Sequence, residues 1–163
     1  MYELISIKRI SNGLYELTYL DKKIYFCISI CSKNRDTIEN ELIHIGLNRD
    51  EIQAIIPENL VKTPLQFIQA LINHILYGSE FNVRNKGLLL SMLVIGEDQI
   101  SEAVEILSRS YRESTRYYLL SISDSCRNIA DQTCEPFIIN DISQEWMHYK
   151  QLVKNLASLL KRL

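Results

Sequence analysis

Between Leu14 and Cys31 side-chain character alternates residue by residue, and that period of two confines the stretch to extended strands. Tyr15, Leu17 and Tyr19 share one face of the first run. In the second, Ile24, Phe26, Ile28 and Ile30 oppose Tyr25, Cys27, Ser29 and Cys31. Ser11-Asn12-Gly13 offers the positive φ angles of a tight hairpin turn, and Leu20-Asp21-Lys22-Lys23 offers a second turn. Tyr2 to Cys31 is therefore expected to form a three-stranded antiparallel meander. Three strands are not stable alone, so helices are expected to cover one face.

After Cys31 the apolar spacing changes to that of helices. Asp36 is placed to cap a helix carrying Ile38, Leu42, Ile43 and Ile45 that stops at Gly46. Asn48 is placed to cap a short helix ending before Pro57. Thr63-Pro64 opens another, with Leu65, Ile68, Leu71, Ile72, Ile75 and Leu76 on one stripe and Gly78 as its stop. Lys86 to Ile95 is apolar nearly all round, which fits a covered central helix; a buried strand competes, because a short apolar run does not fix the period. Glu97 to Ser110 gives the cleanest amphipathic helix, with Ile100, Ala103, Val104 and Leu107 inward. Glu113 to Ile129 continues helical, Cys134-Glu135-Pro136 interrupts, and Asp141 with Gln144 opens a last helix through a capping box.

The expected fold class is α+β: an N-terminal three-stranded antiparallel meander followed by a mostly helical body. With only 5 glycines and 3 prolines and no linker-like stretch, residues 1–163 are expected to form one domain, sheet over 1–32 and helical body over 35–163.

A formal charge of −2, from 18 basic and 20 acidic side chains, argues against a dedicated nucleic-acid binder. Leu88 to Ile95, the most apolar run, is far short of the roughly 20 residues a bilayer span needs. Met1 to Ile10 contains Glu3, Lys8 and Arg9 and lacks the pattern of an export signal, so a cytoplasmic location is expected. In that reducing compartment Cys27, Cys31, Cys126 and Cys134 are expected to be free thiols.

No pattern carries chemistry. The glycines at 13, 46, 78, 87 and 96 are too dispersed for a phosphate loop. His44, His74 and His148 lack a second ligand at helical spacing and read as partly buried, locally hydrogen-bonded groups, so neither metal nor cofactor is expected. Cys126 or Cys134 with His148 forms the alternative, a small enzyme whose site is scattered through the fold. Arg109, Arg112 and Arg116, flanked by Tyr111, Tyr117 and Tyr118, fall on one face if the helix is continuous. That face has the composition of an RNA contact, but Glu113 interrupts it and a solvated, salt-bridged surface explains it equally. Asp98, Glu102 and Glu105 line one face of the amphipathic helix with Glu97 just before them. Like charges at that spacing cost a few tenths of a kcal/mol, so the face is either simply solvated or complementary to a basic partner.

In size, acidic charge and layout, from the meander Tyr2–Cys31 through the helical body from Arg35 to the acidic helix Glu97–Glu105, the chain resembles the small cytoplasmic immunity proteins of contact-dependent growth inhibition and related polymorphic toxin systems. That resemblance implies a stoichiometric inhibitor, not an enzyme, that covers the active surface of a basic toxin domain such as a nuclease. Glu97, Asp98, Glu102 and Glu105 are then the expected partner-binding residues. A chaperone or scaffold presenting a sheet edge or helical groove to a protein client is the remaining alternative.

Overall fold

The computed structural model describes residues 5–46, 51–126 and 133–139. Its centre is a six-stranded antiparallel sheet: β1 (Ile5–Ser11), β2 (Leu14–Tyr19), β3 (Lys22–Ser32), β4 (Ile52–Pro57), β5 (Arg116–Ile122) and β6 (Cys134–Pro136). The spatial order is β1-β2-β3-β5-β4. β6 joins β3 at Ser29–Cys31, beyond the end of β2 and on the side away from β5. Among the described residues four α-helices accompany it: α1 (Ile38–Ile45), α2 (Leu65–Tyr77), α3 (Lys86–Ile95) and α4 (Ile100–Glu113).

The meander forms where the alternation puts it. The first turn is Asn12-Gly13, with Gly13 at φ +80°. A Cβ at Gly13 would press on the Ile28 carbonyl and on Pro136, so glycine also lets β6 close against the turn. The second turn contains Leu20 at φ +54°, which L residues rarely adopt.

The helical body is the part of the expectation that fails. Ile52–Pro57 and Arg116–Ile122 are strands where helices from Asn48 and over Glu113–Ile129 were expected, and the Cys134–Pro136 interruption is a strand too. The reason is that helices cover both faces of this part of the sheet, so both sets of alternating side chains are apolar and the period of two disappears. On one face Ala54, Ile56, Leu120, Phe26, Ile28, Tyr15 and Leu17 pack under α2 and α3. On the other, Ile55, Leu119, Tyr117 and Cys31 pack under Ile38, Leu42 and Ile45 of α1 and Tyr111 of α4.

The helices at 38–45, 65–77 and 86–95 lie where their spacing predicts, although Thr37 supplies the first cap, accepting a hydrogen bond from the Asn40 N–H. The backbones of α3 and β4 approach closely at Gly87. A Cβ on Gly87 would fall deep inside the Gln53 carbonyl oxygen, so only glycine fits there. The last helix expected from Asp141, Asn48 and His148 lie outside the described residues.

All four cysteines are disulfide-bonded, Cys27 to Cys126 and Cys31 to Cys134, which corrects the expectation of free thiols. The partners lie 99 and 103 residues apart, and it is strand pairing that unites them: Cys31 faces Cys134 directly across β3 and β6. No helix among the described residues is long and apolar enough to cross a membrane.

Candidate functional site

Three places concentrate polar chemistry: a buried carboxylate, the start of α4, and a cleft on the sheet. The buried carboxylate is Glu41 of α1, which is 0% exposed. Its Oε2 accepts hydrogen bonds from the N–H groups of Asn34 (3.0 Å) and Arg35 (2.7 Å) and from the Tyr111 hydroxyl (3.0 Å). Its Oε1 accepts one from the Tyr117 hydroxyl at 2.8 Å. Burial by itself would raise the pKa of this carboxyl, but the bonds from Tyr117, Asn34, Tyr111 and Arg35 outweigh it and hold the group below its ordinary value. Burial and the adjacent Glu41 charge push both tyrosine hydroxyls far up. Four donors hold this fully enclosed carboxylate, so Glu41 pins α1, α4 and β5 together and has no exposed face for a substrate.

At the start of α4 the structure rearranges the expected acidic face. The helix begins at Ile100, so Glu97 and Asp98 precede it. Glu97 instead shapes the turn that leads into it, its Oε1 accepting from the N–H groups of Asp98 (3.0 Å) and Gln99 (3.1 Å). Glu102 and Glu105 are exposed on the first two turns, while Asp98 is half-buried. The inner side is Ala103, Leu107, Ser110 and Tyr111. Ile100 and Val104, expected inward, are instead 46% and 42% exposed. The arginine trio is likewise divided. Arg109 and Arg112 are exposed on α4, whereas Arg116 lies on β5 in a two-pronged pair with Glu58 at 2.6 and 3.0 Å.

The cleft lies on the face of the sheet that α1 and α4 only partly cover. The strand register there forms rows of side chains. Pro57, Tyr117, Cys31 and Cys134 make one row, and Ile55, Leu119 and Ser29 the next. Gln53, Ser121 and Cys27 follow, and the chain then continues to Glu51 and Ser123. Along this face the side chains thus pass from apolar under the helices to polar beyond them. Cys27, Ser29, Ile45, Glu51, Gln53, Leu119, Ser121 and Cys126 line a small cleft open to solvent.

Gln53 is 6% exposed, and its Oε1 has no hydrogen-bond partner among the described residues. Its Nε2 donates to the Glu51 carboxylate at 3.3 Å, which fixes the amide orientation, since the flipped amide would set oxygen against oxygen. The Ser123 hydroxyl reaches the other Glu51 oxygen at 3.4 Å. Sequence reasoning missed this group because its members come from three distant strands. The one available signal was a polar residue inside each apolar run, Gln53 in IQAII and Ser121 in LLSI.

Cys126 and Cys134 are engaged with Cys27 and Cys31, so neither offers the thiolate that a nucleophile or zinc ligand requires. His44 Nδ1 lies 3.2 Å from Arg35, as expected of a local bond. His74 departs from that expectation, because its buried Nδ1 has no partner among the described residues. Burial, and then the charge of Lys86, push its ring below the ordinary value. Among the described residues no three His, Cys, Asp or Glu side chains are grouped so as to hold a metal ion. The chain matches no known protein family, and no curated protein is detectably similar to it in sequence.

Proposed function

We propose that the chain is a binding protein of the immunity type, which neutralises a basic toxin domain by stoichiometric capture, and that the first two turns of α4 are its docking surface. The observation that carries this reading is the exposure of Ile100 and Val104 beside the carboxylates of Glu102 and Glu105. Two branched apolar side chains one turn apart favour leaving water, and exposed carboxylates attract and orient a basic partner. The helix beneath them is held by Ala103, Leu107 and Tyr111, so little ordering entropy remains to be lost on binding.

The disulfides bear on where this occurs. Stable disulfides belong to oxidising compartments, which favours capture outside the cytoplasm over the cytoplasmic location expected from the sequence. Alkylation of unreduced protein should then label no cysteine, whereas four labelled thiols would return the chain to the cytoplasm and remove this part of the proposal.

The functional test is co-expression with the product of the adjacent reading frame. Co-purification at a fixed ratio and rescue of growth are expected. Glu102→Lys with Glu105→Lys should slow association tenfold or more at low salt, and Val104→Asp should abolish capture. A partner that binds equally well to both variants would mean that α4 is not the interface. Absence of both co-purification and rescue would defeat the inhibitor reading itself.

A further inference from the structure

We infer that the outer edge of β1 is a docking site for an extended, acidic segment of a partner protein, which joins the sheet there as a further strand. The sheet's two edges differ. β4 lies tightly against α3, whereas among the described residues β1 has β2 as its only strand neighbour. The Ile28 N–H donates to the Gly13 carbonyl, and this bond fixes which backbone groups of the meander point where. Antiparallel pairs alternate between those that exchange hydrogen bonds and those that do not. Counting from that bond, Tyr15, Leu17 and Tyr19 bond toward β3, and Glu16 and Thr18 bond toward β1. Lys8 and Ser6, opposite Glu16 and Thr18, therefore bond to β2, and the N–H and C=O groups of Ile5, Ile7 and Arg9 face outward.

The side chains on this edge select the occupant. Ile5 and Ile7 are half-buried against the core on the α2–α3 side, so apolar side chains beside them extend that core. Lys8 and Arg9 are exposed, and β1 carries no acidic residue. The carboxylate across from Lys8, that of Glu16, already pairs with Lys23 at 3.5 Å. An incoming strand with carboxylates opposite Lys8 and Arg9 and apolar side chains opposite Ile7 and Ile5 meets outward backbone groups, two cations and an apolar margin together. A second copy fits poorly. Pairing β1 with itself gathers Lys8 and Arg9 of both copies on one short ladder with no carboxylate on either strand, and edge cations keep like sheets apart. The surface uses no residue of α4 and stands independently of the inhibitor reading.

The test is a titration of the intact, oxidised chain with the acetylated and amidated peptide Thr-Glu-Glu-Val-Thr-Val-Thr, whose central five residues match residues 5–9 when laid antiparallel. Saturable binding with a Kd of roughly 10–500 μM is expected for one short added strand. Amide hydrogen exchange locates it. In the free chain the N–H groups of Ser6 and Lys8 should be protected and those of Ile7 and Arg9 open. Saturating peptide should slow exchange at Ile7 and Arg9 about tenfold or more. N-methylation of the glutamate opposite Arg9 and the valine opposite Ile7 removes the donors that meet their carbonyls, and should remove binding. Lys8→Glu with Arg9→Glu alters exposed side chains only; it should weaken the acidic peptide about tenfold or more and gain binding to the peptide with lysines in place of both glutamates.

No saturation up to about 2 mM peptide, binding that leaves exchange at Ile7 and Arg9 unchanged, undiminished binding of the N-methylated peptide, or equal affinity in the charge-reversed variant would each overturn the inference. So would a free chain in which Ile7 and Arg9 are already protected: sedimenting as a dimer it gives the edge to a second copy, and as a monomer to another part of the same chain.

Discussion

Replacing Glu41 by glutamine should destabilise the protein by about 1.5–3 kcal/mol, and the size follows from how its bonds are distributed. Three of the four donors converge on Oε2, and the Tyr117 hydroxyl alone meets Oε1. A glutamine can keep its oxygen where Oε2 was and turn its amide toward Tyr117, whose hydroxyl is free to rotate and accept. The three retained bonds then lose charge assistance, worth roughly 1 kcal/mol each, while a neutral amide costs less to bury than a carboxylate. Glu41→Leu has no such escape. It strands two backbone N–H groups and the Tyr117 hydroxyl in an enclosed site, while the Tyr111 hydroxyl keeps the Arg35 carbonyl as acceptor, and at roughly 1–3 kcal/mol for each stranded donor it should cost at least about 3 kcal/mol.

Urea unfolding at pH 7 with the disulfides intact measures both differences. The pH dependence checks the cause. Because the folded state holds this carboxyl below its ordinary value, its stabilisation is fully present above the unfolded-state value of about 4.3 and fades as pH falls through the folded-state value. The gap between wild type and Glu41→Gln should therefore stay constant from about pH 7 to 5 and narrow below about pH 4. A gap that widens on acidification, or a glutamine cost under about 0.5 kcal/mol at pH 7, would refute the account of Glu41 as a charged pin.

Four further outcomes follow from other places in the fold. Gly87→Ala should cost about 2 kcal/mol or more in urea unfolding, because the new methyl collides with the Gln53 backbone and α3 must slide off β4. Leu20→Gly should stabilise the second hairpin by about 0.5–1 kcal/mol, since it relieves a left-handed leucine that is 58% exposed; an unchanged or lower midpoint would count against that strain. Cys27→Ala with Cys126→Ala should cost about 2–4 kcal/mol, as expected for opening so long a loop. Under limiting reductant, mass mapping should find Cys27–Cys126 opened before Cys31–Cys134, because Cys126 is exposed while Cys31 lies beneath α1 and α4.

The parts of this fold legible in the sequence are those where one face meets water or one signal acts locally. The meander was readable because β1 and β2 bury one face only, against Tyr15 and Leu17, and leave Lys8 and Glu16 on the other. The helix over 65–77 was readable from Thr63-Pro64 and a single stripe. β4 and β5 were not, because IQAIIP and RYYLLSI are covered on both faces, and a run without alternation carries no period of its own. Reading 116–122 as helix puts Arg116 on one face with Arg109 and Arg112 and hides the pairing that brings Cys126 and Cys134 back to β3. One wrong period thus removed the sheet's centre, its disulfides and its cleft together.

The same dependence explains why the acidic residues were found and their setting was not. Glu102 and Glu105 are exposed whatever packs beneath them, so their spacing alone locates them. Ile100 and Val104 share the angular position of the buried Leu107 and Tyr111, and helical period alone therefore sends them inward. Whether an apolar stripe is covered along its whole length depends on how far the neighbouring layer extends, which no local pattern encodes. Here the covering layer ends partway along α4, so Leu107 and Tyr111 are buried while Ile100 and Val104 are not. The proposed docking surface arises at that margin, where side chains chosen for a core and side chains chosen for water stand next to one another.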